Sequence, residues 1–206
     1  MPKMSIIIPH KRTPLNDEAL RLNINMLLSN TYNDYELIVD TESPKDPYKI
    51  WNEASVIARG DILVFTNSDV LMSKNWDIPM LKAVENNAIV VGYLIEPGNI
   101  GVAEENIQLD FGRVPSTFNR SDFESYAAMT MARLQHEGKG VKEERGWYMP
   151  CAFLKEWFNW TGGFDTTLGF PNPNDILFWN RVVEDYHTKL LRVNSFAYHF
   201  QNLSGR

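Results

Sequence analysis

The clearest feature of the hydrophobic pattern is an unbroken apolar run, Ile62–Phe65, that passes directly into the polar turn Thr66-Asn67-Ser68-Asp69. Four consecutive apolar residues suit a strand buried on both faces, as in the parallel sheets of α/β proteins. Residues 4–8 form a second such run, closed by Pro9, and residues 36–39 and 89–94 two more. Between them lie helical patterns. Leu20, Ile24, Leu27 and Leu28 predict a helix over 18–28 with Asn16 or Asp17 as its cap. Asp46-Pro47 supplies an N-cap and an N1 proline for a helix through about Ala58, ended by Gly60. A further helix is predicted over 76–84. Strands alternating with helices imply parallel βαβ units with right-handed crossovers, and so an α/β fold.

After Glu96 the pattern changes. Residues 96–120 are rich in Gly, Pro, Asn and Ser and read as irregular chain able to form the wall of a cleft. Ser121 and Glu124 make a capping-box pattern that opens a helix to about His136, and residues 137–145 read as a polar loop. No linker divides the chain, so a single domain over 1–206 is expected. The composition, 44% hydrophobic and 22% charged over 206 residues, supports one sizeable core. A net charge of −6 disfavours nucleic acid as a partner, since that binding needs clustered cations. The lone cysteine, Cys151, reads as a core residue and fits a reducing, cytoplasmic compartment. No apolar run reaches the roughly 20 residues of a membrane span. The final residues, 201–206, carry no strong stop signal, which leaves room for further domains of a longer protein.

Open α/β sheets bind ligands beyond the carboxyl ends of their strands, so Asn67 and Asp69 are expected to face a ligand. A short acidic turn there can seat a hard divalent cation, which takes carboxylate oxygens together with substrate phosphate oxygens. A nucleoside diphosphate is the first candidate. The competing reading is a turn that only ends one strand and caps the next segment.

Three stretches taken in order, Ser5-Ile-Ile-Ile-Pro9, Asn30 through Asp40, and Ala58 through Asp69, resemble the nucleotide-sugar-binding half of GT-A fold glycosyltransferases, most closely family 2. Trp160-Thr-Gly-Gly-Phe-Asp165 is similar to that family's Gly-Gly-Phe-Asp turn, and Asn174-Asp175 stands where it has an acidic pair. The resemblance implies a Rossmann-like GT-A fold with a mostly parallel central sheet flanked by helices. It implies a nucleotide-sugar half over 1–95 and an acceptor half over 96–206. The implied activity is metal-dependent transfer of a sugar, with inversion, from a nucleotide donor (UDP by preference) to a hydroxyl of a glycan or glycoprotein.

The residue roles that follow from the resemblance are specific. Pro9, His10 and Asp40, with Glu42 as the alternative to Asp40, would lie beside the nucleotide base. Asn67 replaces the first acid of the family's Asp-x-Asp turn, so it can bind a ribose hydroxyl but brings no charge, while Ser68 and Asp69 complete the turn and Asp69 keeps the metal-binding carboxylate. His199 is a candidate second ligand for Mn²⁺ or Mg²⁺, against a packed structural histidine. Asp175 is the candidate general base, against a simple helix cap for the segment 176–182. Of the late aromatic residues, Trp147 and Trp160 are candidates for an acceptor-sugar platform, and Lys11, Arg12 and Arg181 for phosphate contacts. Two other classes stay open: a nucleotidyltransferase, which lacks support because no Gly-rich phosphate loop follows the first strand, and a catalytically silent binding domain, favoured by Asn67 and Asn174.

Overall fold

The computed structural model describes residues 3–41, 46–98, 107–143, 149–167, 174–201 and 203. Its centre is a nine-stranded sheet. The main path runs β2 (Tyr35–Asp40), β1 (Met4–Pro9), β3 (Ile62–Phe65), β8 (Cys151–Leu154), β5 (Ala88–Glu96), β9 (Lys189–His199), β4 (Val70–Met72), with β6 (Ile107–Gln108) beside β5 and β7 (Lys142–Glu143) beside β9. β1, β2 and β3 are mutually parallel, as are β5 and β9. β8 runs against both β3 and β5, and β4 against β9. The sheet is therefore mostly parallel, with three reversed strands, β4, β7 and β8, that the alternation of elements did not foretell.

Among the described residues six α-helices flank it: α1 (Pro14–Asn30), α2 (Pro47–Ile57), α3 (Asp77–Ala83), α4 (Arg120–His136), α5 (Lys155–Trp160) and α6 (Asn174–Glu184). α1 begins earlier than the apolar spacing predicts. Thr13 caps it, accepting from the Asn16 N–H at 3.1 Å, because Pro14 is preset for the first helical position. α4 likewise starts ahead of the capping box. Asn119 accepts from the Asp122 N–H, and Glu124 pairs with Arg120 at 2.8 Å instead of turning back on the helix start. Asp46 caps α2 as expected, although the helix closes at Ala58, before Gly60. The run at 89–94 is the fifth strand, not the fourth, since Val70–Met72 pairs with β9. Residues 107–120 contain β6 and a 3₁₀ turn at Pro115–Thr117.

One face of the sheet buries Ile7, Leu63, Phe65 and Phe153 against Trp51 of α2, Phe158 of α5 and Phe178 of α6. Trp51 stacks on Phe65 with ring centroids 5.3 Å apart. The other face buries Ile6, Ile8, Val64 and Val90 with Leu27 of α1 and Trp76. A third cluster joins Phe196, Tyr198 and Phe200 to Phe123 of α4 and Met26 of α1.

Polar contacts fix the parallel strands in place. The Ser5 hydroxyl donates to Glu36 at 2.6 Å and accepts from the Gly60 N–H at 2.9 Å. Arg59 also binds Glu36, through its backbone N–H and its guanidinium. Burial opposes ionisation of Glu36, but these donors outweigh it and hold its carboxyl down at about 2. Gly60 passes so close to β1 that a Cβ would stand 2.5 Å from the Met4 carbonyl carbon. Gly60→Ala should therefore force two backbones apart and cost about 1–3 kcal/mol of stability, read as a lower denaturation midpoint in urea.

Candidate functional site

The carboxyl ends of β1 and β2 lie side by side, Pro9 opposite Asp40, and the His10 N–H donates to the Asp40 carbonyl at 2.9 Å. The His10 ring is buried, with Nε2 2.6 Å from Asp17. The hydrogen bond to His10 holds the Asp17 carboxyl below its ordinary range in spite of opposing burial, and Arg12 at 3.2 Å adds to the effect. His10 thus ties the β1–α1 connection to the first turn of α1. Glu42 lies outside the described residues.

The turn after β3 is held from below by α1. Its Asn67 carbonyl accepts from the Val70 N–H at 3.3 Å and from the Asn23 side-chain amide at 3.0 Å, and the same amide reaches the Ser68 carbonyl at 3.4 Å. Asn23 is one of three buried asparagines, with Asn16 and Asn30, set two helical turns apart on α1. Asn16 donates to the Lys11 carbonyl and Asn30 to the Met72 carbonyl. This ladder gives hydrogen-bond partners to backbone carbonyls of the β1–α1 connection, the turn after β3 and the end of β4.

Beyond that turn, the structure brings Asp69 and His199 together. β4 pairs antiparallel with β9 so that Val70 faces His199, and the Phe200 N–H donates to the Asp69 carbonyl at 3.1 Å. His199 Nε2 lies 3.5 Å from Asp69 Oδ2. On its other side the parallel β5–β9 register ends with Ile95 opposite Tyr198, which brings the next residues, Glu96 and His199, near each other. His199 Nδ1 is 2.6 Å from Glu96 Oε1. Both carboxylates are buried, Glu96 being 1% exposed and Asp69 6%. Burial by itself disfavours a charged imidazole, but hydrogen bonds to Asp69 and Glu96 and the charges of both carboxylates prevail and raise His199 to about 9.

Asp69 and His199 are the two side chains here that could contribute ligands to a divalent cation. Asp69 Oδ2 and His199 Nε2 face one another, whereas Glu96 sits on the opposite ring nitrogen and so points away from that position. Among the described residues no group of three His, Cys, Asp or Glu side chains could hold a metal ion. Mg²⁺ in nucleotide sites is commonly held by one or two carboxylates with waters and phosphate oxygens, and Asp69 offers one such carboxylate.

Asp175 stands in a separate cluster at the start of α6. One of its carboxylate oxygens accepts from the Ile176 N–H at 2.9 Å. Tyr48, at the start of α2, is pushed above the usual tyrosine range, first by burial and then by the charge of Asp175 and a hydrogen bond to it. Because α2 follows the parallel strand β2, its N-terminus and Asp175 with it lie toward the carboxyl edge of the sheet. The Gly162-Gly163 turn has both φ angles positive, 78° and 67°. It is clamped by Asn52 of α2, whose amide donates to the Phe164 carbonyl at 2.8 Å while its oxygen accepts from the Phe164 N–H at 3.0 Å. Arg181 binds the Gly163 carbonyl, a structural use of that cation. Trp160 is 66% exposed and packs edge-on against Tyr186. Trp147 falls outside the described residues, and so does the side chain of Asn174.

Glu96, Asn23, Tyr48 and Asn52 were not singled out in the sequence. Glu96 carried a usable signal, an acid at the carboxyl end of the apolar run 88–95, the same mark that pointed to Asp69.

No protein-family model matches the chain, and no curated protein matches its sequence. Its structure is similar to the crystal structure of GalNAc-T7 with UDP, GalNAc and Mn²⁺, with a TM-score of 0.59 at 12% identity. The likeness covers 97% of this chain and 44% of GalNAc-T7, so the chain spans less than half the length of that protein. The shared architecture is that of GT-A glycosyltransferases, a mostly parallel sheet flanked by helices. Among the described residues no helix is long and apolar enough to cross a membrane.

The raised His199 sets a pH window. A group whose folded value lies above its ordinary 6.5 contributes stability that is fully present below 6.5 and is lost as pH rises through about 9. In metal-free protein, the difference in melting temperature between wild type and His199→Gln should be largest at the acid end of that window and shrink across it. A difference that stays constant across the window shows that His199 is not held as a cation.

Proposed function

We propose that this chain is a glycosyltransferase domain that moves a sugar from a nucleotide-sugar donor, a UDP-sugar, to a hydroxyl of a glycan or glycoprotein acceptor. The observation that carries the reading is the convergence of Asp69 Oδ2 and His199 Nε2, 3.5 Å apart, at the carboxyl edge of a GT-A sheet. That GalNAc-T7 has been crystallised with UDP and Mn²⁺ on the same fold supports it. Asp69 and His199 are the residues that would hold Mn²⁺ or Mg²⁺. The ion, when bound, neutralises charge on the departing diphosphate.

The remaining roles belong to the chain itself. Pro9, His10 and Asp40 border the nucleoside, His10 by holding the β1–α1 connection against Asp17. Asn67 offers an amide to a ribose hydroxyl, and Ser68 completes the turn fixed by Asn23. Residues 1–95 supply most of the donor side and 96–206 the acceptor side, with exposed Trp160 as a platform for an acceptor ring. Asp175 takes the acceptor hydroxyl's proton as the new bond forms on the face opposite the leaving group, which inverts the anomeric centre. Tyr48 orients that carboxylate. A cytoplasmic setting rests on the lone Cys151. The neutral Asn67 favours a second reading, a nucleotide-sugar-binding domain without catalysis. Hydrolysis of a UDP-sugar in the presence of Mn²⁺ separates the two.

Asp69→Ala is expected to abolish the Mn²⁺-dependent part of UDP binding in calorimetry while the protein stays folded. Unchanged Mn²⁺-dependent affinity removes Asp69 from the site. Asp175→Asn should keep donor affinity near wild type and cut transfer by about 10²-fold or more, the scale of losing a general base. Asparagine retains much of the capping ability of Asp175, so transfer within a few-fold of wild type assigns Asp175 to the helix start alone.

A further inference from the structure

We propose that Glu96 is a positioning residue that presets His199 as a metal ligand: its carboxylate takes the Nδ1–H of the imidazole, so that Nε2, on the Asp69 side, is the nitrogen left to ligate. The inference rests on the reading of Asp69 and His199 as the metal pair. Glu96 ends a nine-residue strand, AIVVGYLIE, otherwise free of charge, and it is 1% exposed. A carboxylate at such a depth is costly unless it meets charge or donors. Its partner is fixed by the backbone, since the β5–β9 register places His199 next to it, and the contact of 2.6 Å is short. Which ring nitrogen ligates a metal is decided by the hydrogen bond that the other nitrogen makes. A carboxylate on Nδ1 also raises the basicity of Nε2, strengthening it as a donor. Ligation through Nε2 would require that nitrogen to give up its proton to solvent, while Glu96 would keep the other proton on Nδ1.

The experiment is a Mn²⁺ titration of wild type, Glu96→Ala, Glu96→Gln and Asp69→Ala, beside ¹⁵N spectra of the histidine rings with the diamagnetic Mg²⁺ bound. Glu96→Ala should weaken Mn²⁺ binding by about 10- to 100-fold, the usual effect of removing a carboxylate behind a ligating histidine. Its His199 should also lose the single Nδ1–H form in the ring spectra, a change that general loosening of the strand does not produce. Glu96→Gln keeps an oxygen for Nδ1–H but no charge, so it should retain that tautomer and bind Mn²⁺ several-fold more weakly. If Glu96→Ala fails to fold, Glu96→Gln alone decides, and wild-type affinity in it overturns the proposal. If Asp69→Ala loses Mn²⁺ while both Glu96 variants keep it, Glu96 has no such role although the metal pair stands. If wild type itself binds no Mn²⁺, the metal pair falls and this inference with it.

Discussion

His199 stands between two buried carboxylates, and most of what is particular to this site depends on that arrangement. Neither Asp69 nor Glu96 is more than 6% exposed, and a buried carboxylate without charge or donors is strongly disfavoured. One imidazole serves both, one through each ring nitrogen. It can do so because three strands bring their ends to one point: β5 delivers Glu96, β9 delivers His199 and the turn into β4 delivers Asp69. The fold supplies the positions, and the imidazole makes the buried charge tolerable. The extra proton held on His199 supplies a positive charge between the two carboxylates.

Around this centre, asparagine amides support stretches of backbone that regular structure leaves unpaired. On α1, Asn16 supports the β1–α1 connection, Asn23 the turn after β3 and Asn30 the end of β4, and Asn52 of α2 does the same for the Gly-Gly-Phe turn. An amide carries both a donor and acceptors on a short neutral stem, so it satisfies a buried carbonyl or N–H without introducing charge. The two turns most similar to glycosyltransferase motifs are each held from behind by such a side chain. At the Gly-Gly turn the fit is tight enough that a Cβ on Gly163, whose φ is 67°, would meet the Asn52 oxygen at 2.5 Å.

Asp175 and Tyr48 show how the second cluster is built on the opposite sheet face. α2 and α6 share the aromatic core of Trp51, Phe164 and Phe178, and that packing sets their first turns against each other. The contact between the Tyr48 hydroxyl and Asp175 is thus a product of core packing. A carboxylate held by a buried hydroxyl and its neighbouring N–H is restricted in direction.

The sequence by itself determined the elements whose signals are local. The run Ile62–Phe65, the Asp46 cap with Pro47 and a helix over 176–182, which lies within α6, follow from side-chain burial and backbone preferences within a few residues. It also marked Asp69, since an acid directly after a buried strand lies where α/β sheets bind ligands. The caps at Thr13 and Asn119 were missed because Pro14 and Arg120 extend their helices beyond the apolar periodicity that the spacing records. Only the tertiary structure decided which strand ends meet. Val70–Met72 is too short to declare itself, and its pairing with β9 is a contact between distant parts of the chain. Glu96 looked like the last residue before an irregular stretch until the register brought it near His199. Strand order and register are settled by how whole faces bury together, and no window of sequence contains both partners.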